Sequence, residues 1–196
     1  MRPAITLHTF DSNMALAWAE AFGDTADVEI VEGDILNGSP GAVVSPANSF
    51  GYMDGGIDLA YRQFFGMEIQ HRVQAKIRTD HYGELPVGQA MVVPTGNSRL
   101  PLLIVAPTMR VPDRIADTVN VYLAFRAALL ALVRHNASEE RNIDRMHCPA
   151  LGAGVGAMPI GRVARQMHAA FGSVFGPPEW RDDPAQILLH HENLRT

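Results

Sequence analysis

Disulfide chemistry is the first thing this chain lacks. Its 196 residues include one cysteine, Cys148, so no intrachain bridge can form. A reducing, cytoplasmic setting is the expectation that fits. Long apolar runs are missing as well. No stretch approaches the roughly 18 apolar residues that a membrane helix needs. The opening residues MRPAITLHTF hold no basic segment followed by an apolar run, so no signal peptide is expected. Positive charge is not in excess: the net charge is −5 and the pI about 5.9. A protein that grips nucleic acid through a broad basic face is therefore not expected. A small anionic ligand stays open, because backbone amides at helix N-termini bind phosphate without cationic side chains. Internal repeats and low-complexity runs are absent. His190 and His191 are adjacent, a poor spacing for one metal ion, and read as surface residues.

What is present suits a globular fold. Hydrophobic residues make up 47% of the chain and charged ones 19%, enough for a sizeable core in one domain. Short apolar segments read as strands at 4–9, 28–31, 42–45, 89–94, 102–106 and 147–151. Helical patterns lie between them, at 13–22, 57–65, 67–80, 114–134 and from Pro159 to 171. Residues 177–183 read as loop. Residues 184–194 fit helix or strand, with Pro184 after two aspartates favouring helix. Strands alternating with helices predict an α/β layered domain with a mixed sheet.

Two glycine-rich loops stand out, 51–56 and 152–156. Each follows a strand and leads into a helix. Gly152-Ala153-Gly154-Val155-Gly156-Ala157 satisfies GxGxxA, a dinucleotide fingerprint. In a Rossmann domain that turn belongs to the first βαβ unit, with an acidic-ended strand after its helix. Here it comes near the end of the chain without such a strand, so a dehydrogenase is excluded. The turn still suits a diphosphate at a helix N-terminus. Two such loops at the C-terminal edge of one sheet would clamp a diphosphate between them. Asp34, after another strand, has the chemistry to accept a hydrogen bond from an exocyclic amine such as that of adenine.

These residues resemble a family. In order along the chain come Gly33-Asp34-Ile35, Val43-Val44-Ser45-Pro46-Ala47-Asn48, Gly55-Gly56-Ile57-Asp58, 83–90, Ile104-Val105-Ala106-Pro107-Thr108 and 149–156. Together they are similar to the macro domain, the ADP-ribose-binding module, over roughly residues 33–172. The resemblance implies a three-layer α/β/α fold with a mixed central sheet. It implies ADP-ribose, or an ADP-ribosylated macromolecule, as partner, with no metal or cofactor. Asp34 would hold the adenine amine, with the Ile35 amide beside it. Gly55, Gly56 and Ile57 would let the backbone pass close to the diphosphate and distal ribose. Gly152, Ala153, Gly154, Val155 and Gly156 would wrap the diphosphate from the other side. Asn48 would contact the distal ribose.

Asn48 and Asp58, ten positions later, match a pair that serves the distal ribose in the MacroD-type hydrolytic branch. Asp58 would then position or deprotonate a water for hydrolysis of a mono-ADP-ribosyl ester. The alternative is a binding module without turnover, with Asp58 only favouring the start of its helix. Gly156 stands where relatives often carry an aromatic that packs on the ribose. Only Gly55 and Gly56 precede the Ile57-Asp58 pair, where relatives carry a longer glycine run. Asp58 is not followed by a second acid, so cleavage of poly(ADP-ribose) chains is not expected. Plainer readings apply elsewhere: Asn48 suits an Asx-turn, Cys148 and the Phe64-Phe65 pair suit the core, and Arg110 suits solvent.

Overall fold

The computed structural model describes residues 2–138, 142–177, 180 and 182–196. Its elements alternate as the sequence predicts: β1 (Ala4–Thr9), α1 (Ser12–Phe22), β2 (Val28–Glu32), a 3-10 turn (Ile35–Asn37), β3 (Ala42–Ser45), α2 (Gly56–Phe65), α3 (Glu68–Asp80), β4 (Met91–Pro94), β5 (Leu102–Val105), α4 (Asn120–Ser138), β6 (Arg145–Pro149), α5 (Ile160–Phe175) and α6 (Pro184–Arg195). Among the described residues the strands form one sheet in the order β2-β1-β6-β3-β5-β4. All neighbours are parallel except β4 with β5, so the sheet is mixed.

Strand alternation splits the core into two layers, because successive side chains point to opposite faces. Ile5, Leu7, Val44, Met146 and Cys148 pack with Trp18 of α1, Phe125 and Leu129 of α4, and Met167 and Phe171 of α5. Val43, Leu103, Val105 and Val93 pack with Tyr61 of α2 and Ile69, Val73 and Ile77 of α3 on the other side. The result is a three-layer α/β/α fold. Cys148 is fully buried in the first layer, as its apolar strand predicts.

Several boundaries differ from the sequence pattern for local reasons. The helix expected from 114 begins at Asn120. Ile115 is drawn instead into the second glycine loop, its N–H donating to the Gly156 carbonyl at 2.8 Å. Thr118 Oγ1 then accepts from Asn120 N at 3.2 Å and starts the helix. The tail is helical: Asp183 caps α6 by accepting from Ala185 N, and Pro184 occupies its first turn. Of the loop expected at 177–183, residues 178, 179 and 181 lie outside the described residues. Phe65 is half-buried, whereas Phe64 is 41% exposed and does not join the core. Among the described residues, no helix is long and apolar enough to cross a membrane.

Candidate functional site

Five strands run parallel, so β1, β2, β3, β5 and β6 deliver their loops to one edge of the sheet. The segment after β3 and the segment after β6 face each other there. Between them lies a cleft of about 270 Å³. Asn48, Gly55, Gly56, Ile57 and Asp58 line one wall, and Gly152, Gly154, Val155 and Gly156 the other. The two glycine loops are thus brought together in space. Ala153 is half-buried against the core and turns away from the cleft.

Asp34 and Ile35 stand apart from this cleft. Ile35 is 3% exposed and belongs to the second core layer. Asp34 lines a separate recess of about 300 Å³ and accepts a hydrogen bond from Leu36 N at 2.9 Å. It therefore shapes the 3-10 turn, whatever else it does.

The glycines divide by what surrounds them. At Gly55, Gly56 and Gly154 a Cβ would meet nothing within 4 Å. These positions leave the backbone bare toward the cleft. At Gly156 a Cβ would lie 2.6 Å from the Gly152 carbonyl oxygen and 2.7 Å from Ile115. No side chain fits there without a shift of the Gly152 carbonyl or Ile115. Gly152 has φ +71, and its Cβ would sit 2.7 Å from Val121.

Asn48 has its side chain committed. Its Nδ2 donates to the Tyr52 carbonyl at 2.9 Å, and its Oδ1 accepts from Phe50 N at 3.1 Å. This is the Asx-turn arrangement, and it shapes the first loop around the cleft. Asp58 lies in the first turn of α2 and is 8% exposed. Its Oδ1 accepts from Ser45 Oγ at 2.5 Å, tying α2 to the end of β3. It does not act as the helix cap, since Gly55 holds that position without a side-chain bond. Burial pushes the Asp58 carboxyl up to about 7, and the nearby Asp54 charge adds to this, while the Ser45 hydroxyl and the Ala47 amide hold it down. A carboxyl that exchanges its proton near neutrality is suited to acid–base work.

Sequence reasoning gives Ser45 and Pro112 no role, and weighs Tyr52, Asp54 and Met109 only as loop residues that could flank a ligand. Ser45 is the partner of Asp58, and Tyr52, Asp54, Thr108, Met109 and Pro112 line the cleft. Ser45 had one available signal, its place at the end of an apolar strand. Arg110 turns out to be paired: its guanidinium donates to both Glu84 oxygens, at 2.8 and 3.0 Å, and lies over the Phe50 ring. Among the described residues, no group of three or more metal-ligating side chains is assembled.

Comparison with known proteins agrees with this architecture. The Macro domain family profile matches residues 44–167. A protein of Aeropyrum pernix is 34% identical over 157 residues, covering 80% of this chain and 74% of its own length. One from Aquifex aeolicus is 30% identical over 141 residues, covering 72% of this chain and 78% of its own. Among solved structures, the macrodomain of Mycobacterium tuberculosis DarG superposes with a TM-score of 0.58 at 24% identity, covering 72% of this chain and 88% of that one. The Oceanobacillus iheyensis macrodomain, in a variant solved with ADPR, superposes with a TM-score of 0.56 at 19% identity, covering 69% and 72% of the two chains.

Proposed function

Because the chain belongs to the macro-domain family, we propose that it binds ADP-ribose in the cleft between the two glycine loops and hydrolyses mono-ADP-ribosyl linkages there. One observation carries the binding half of this reading. Gly55, Gly56 and Gly154 present bare backbone to one cleft from opposite walls. A diphosphate is the ligand such walls accommodate, because amides replace cations and the absent Cβ atoms permit close approach. Asp34, at the same sheet edge, supplies an acceptor for the adenine amine. Metal and cofactor have no part in this reading.

The hydrolytic half rests on Asp58. A water beside the anomeric carbon would give its proton to the Asp58 carboxylate as its oxygen bonds to that carbon. The carboxylate of the modified target would leave with the electron pair of the broken bond. The carboxyl near 7 makes Asp58 ionised in a useful fraction at neutral pH. Solved variants of the Oceanobacillus macrodomain replace an asparagine and, ten positions later, an aspartate, the spacing of Asn48 and Asp58.

A second reading, binding without turnover, has its own support. The Asn48 amide is spent on the Asx-turn, and Asp58 is held by Ser45. Release of ADP-ribose from a mono-ADP-ribosylated protein separates the two. Release above background that Asp58→Ala abolishes favours hydrolysis. Calorimetric binding of free ADP-ribose without any release favours the binding module. Failure to bind ADP-ribose even at millimolar concentration overturns both.

A further inference from the structure

The recess that Asp34 lines also holds two buried histidines, one from β1 and one from β6, their rings tilted by 56° with centroids 5.1 Å apart. His8 and His147 are 5% and 1% exposed. His8 Nε2 lies 2.9 Å from His147 Nδ1, and His147 Nε2 lies 2.8 Å from the Ser39 carbonyl oxygen. A carbonyl only accepts, so His147 carries its proton on Nε2 and accepts on Nδ1. His8 must then donate from Nε2. Its remaining nitrogen, Nδ1, is then unprotonated and buried, and it makes no hydrogen bond in the neutral pair, with the Gly33 carbonyl as the acceptor a further proton there would meet. The chain of bonds is saturated with both rings neutral, and its one vacancy for a further proton is His8 Nδ1.

This pair supports the loop that carries Asp34. A Cβ on Gly38 would lie 2.8 Å from His147 Cε1, so the loop rests directly on the ring. Arg99 holds the loop from the other side, its guanidinium donating to the Leu36 carbonyl at 2.6 Å and the Gly38 carbonyl at 3.2 Å. The charged groups facing the pair are Glu29 on β2, Arg145 on β6 and Asp34 on the loop, with Glu29 and Arg145 bonded to each other at 2.6 Å. We propose that the His8–His147 pair is a proton-sensitive prop for the loop 33–41, which opens on acidification and weakens capture of ligand at Asp34.

The sign follows from burial. Desolvation first holds His147 down to about 4 and lowers His8, and Arg145 adds to both, whereas the Gly33 carbonyl and the acidic groups favour the His8 proton and the Ser39 carbonyl and Glu29 favour that of His147. Below pH 6.5 an open, hydrated loop binds protons that the closed one does not, so closure weakens as pH falls toward 4. An open ring titrating near 6.5 against about 4 when closed shifts the balance ~30-fold toward opening at pH 5.

Amide hydrogen exchange tests the prop without reference to ligand. The reporters are Leu36, Asn37, Gly38 and Gly41, whose N–H groups bond to Asp34 Oδ1 and to the carbonyls of Asp34, Ile35 and Arg99. After correction for intrinsic rates, their opening constants are expected to rise ~20-fold from pH 7 to pH 5. The dependence should flatten in His8→Gln and His147→Gln, which keep a donor and cannot charge. Constants that stay level with pH in the wild type overturn the proposal. Should either variant fold poorly, nitrogen-detected NMR of the wild-type rings decides: a His147 that titrates near 6.5 with the loop still closed overturns it. The affinity arm rests on the ADP-ribose reading above: the Kd should weaken in parallel with opening. Loss of that reading would show as no binding at any pH with exchange still acid-sensitive, whereas a Kd level with pH beside acid-sensitive exchange overturns the coupling to ligand.

Discussion

The two glycine loops do similar work with different anchors. The loop at 152–156 is fixed at both ends by glycines packed against the protein. Gly152 and Gly156 each stand within contact of Ile115, and Gly156 also meets the Gly152 carbonyl. Between them Gly154 is open. The loop at 51–56 has one steric anchor, Gly51, where a Cβ would lie 2.7 Å from Val73. Its other end is fixed by a titratable bond, Asp58 to Ser45. One loop is thus held by packed glycines and backbone hydrogen bonds, none of which titrates. The other is held partly by a carboxyl whose charge changes near neutrality. The lesson is that a glycine-rich loop contains two kinds of glycine, those required by packing and those that leave room for a ligand.

The largest effect expected from breaking this contrast falls on turnover. Asp58→Ala should lower ADP-ribose release by ~10²–10⁴-fold while free ADP-ribose still binds. Retained turnover would reduce Asp58 to an anchor of the first loop. Next comes Gly156→Ala, which drives a methyl against the Gly152 carbonyl. It should cost ~1–3 kcal/mol in urea unfolding. A neutral result would mean the second loop is not held by shape.

Gly154→Val probes the open kind of glycine. Stability should stay within ~0.5 kcal/mol. Calorimetry should show ADP-ribose affinity down about tenfold, or ~1.4 kcal/mol. Unchanged affinity would remove this wall from the ligand site.

The smallest effect concerns Ser45. Its hydroxyl holds the Asp58 carboxyl down, so Ser45→Ala should move the rise of the pH–rate profile above the wild-type midpoint near 7, by about one unit or less. The same shift bears on stability. A raised carboxyl keeps its proton longer in the folded state than in the unfolded one. Its contribution to stability is therefore present at about pH 4 and is lost as pH rises toward 7. The buried histidines act in the opposite sense, losing stability as pH falls through that window. Unfolding of wild type and Asp58→Ala across pH 4–8 should show the difference between them shrinking as pH rises.

The layered fold was legible because it rests on local pattern. Short continuous apolar runs at 42–45 and 102–105, turn glycines and the proline starting α6 specify elements without knowledge of their neighbours. The two glycine loops were legible for the same reason, since glycine density after a strand is a local signal. Where the pattern misled, a distant partner intervened: Ile115 left the helical register to bond with Gly156.

The sequence by itself determined the alternation of strands and helices, the two glycine loops, and the absence of disulfides. Tertiary structure decided which glycines face a cleft and which are packed. It decided that Asp58 is buried against Ser45, a residue 13 positions away. It also brought together His8 and His147, separated by 139 positions, into one hydrogen-bonded pair beneath Asp34. Burial, and with it the shift of a carboxyl or an imidazole, is a property of what surrounds a group. Those surroundings come from strands that are neighbours in the sheet and strangers in the chain.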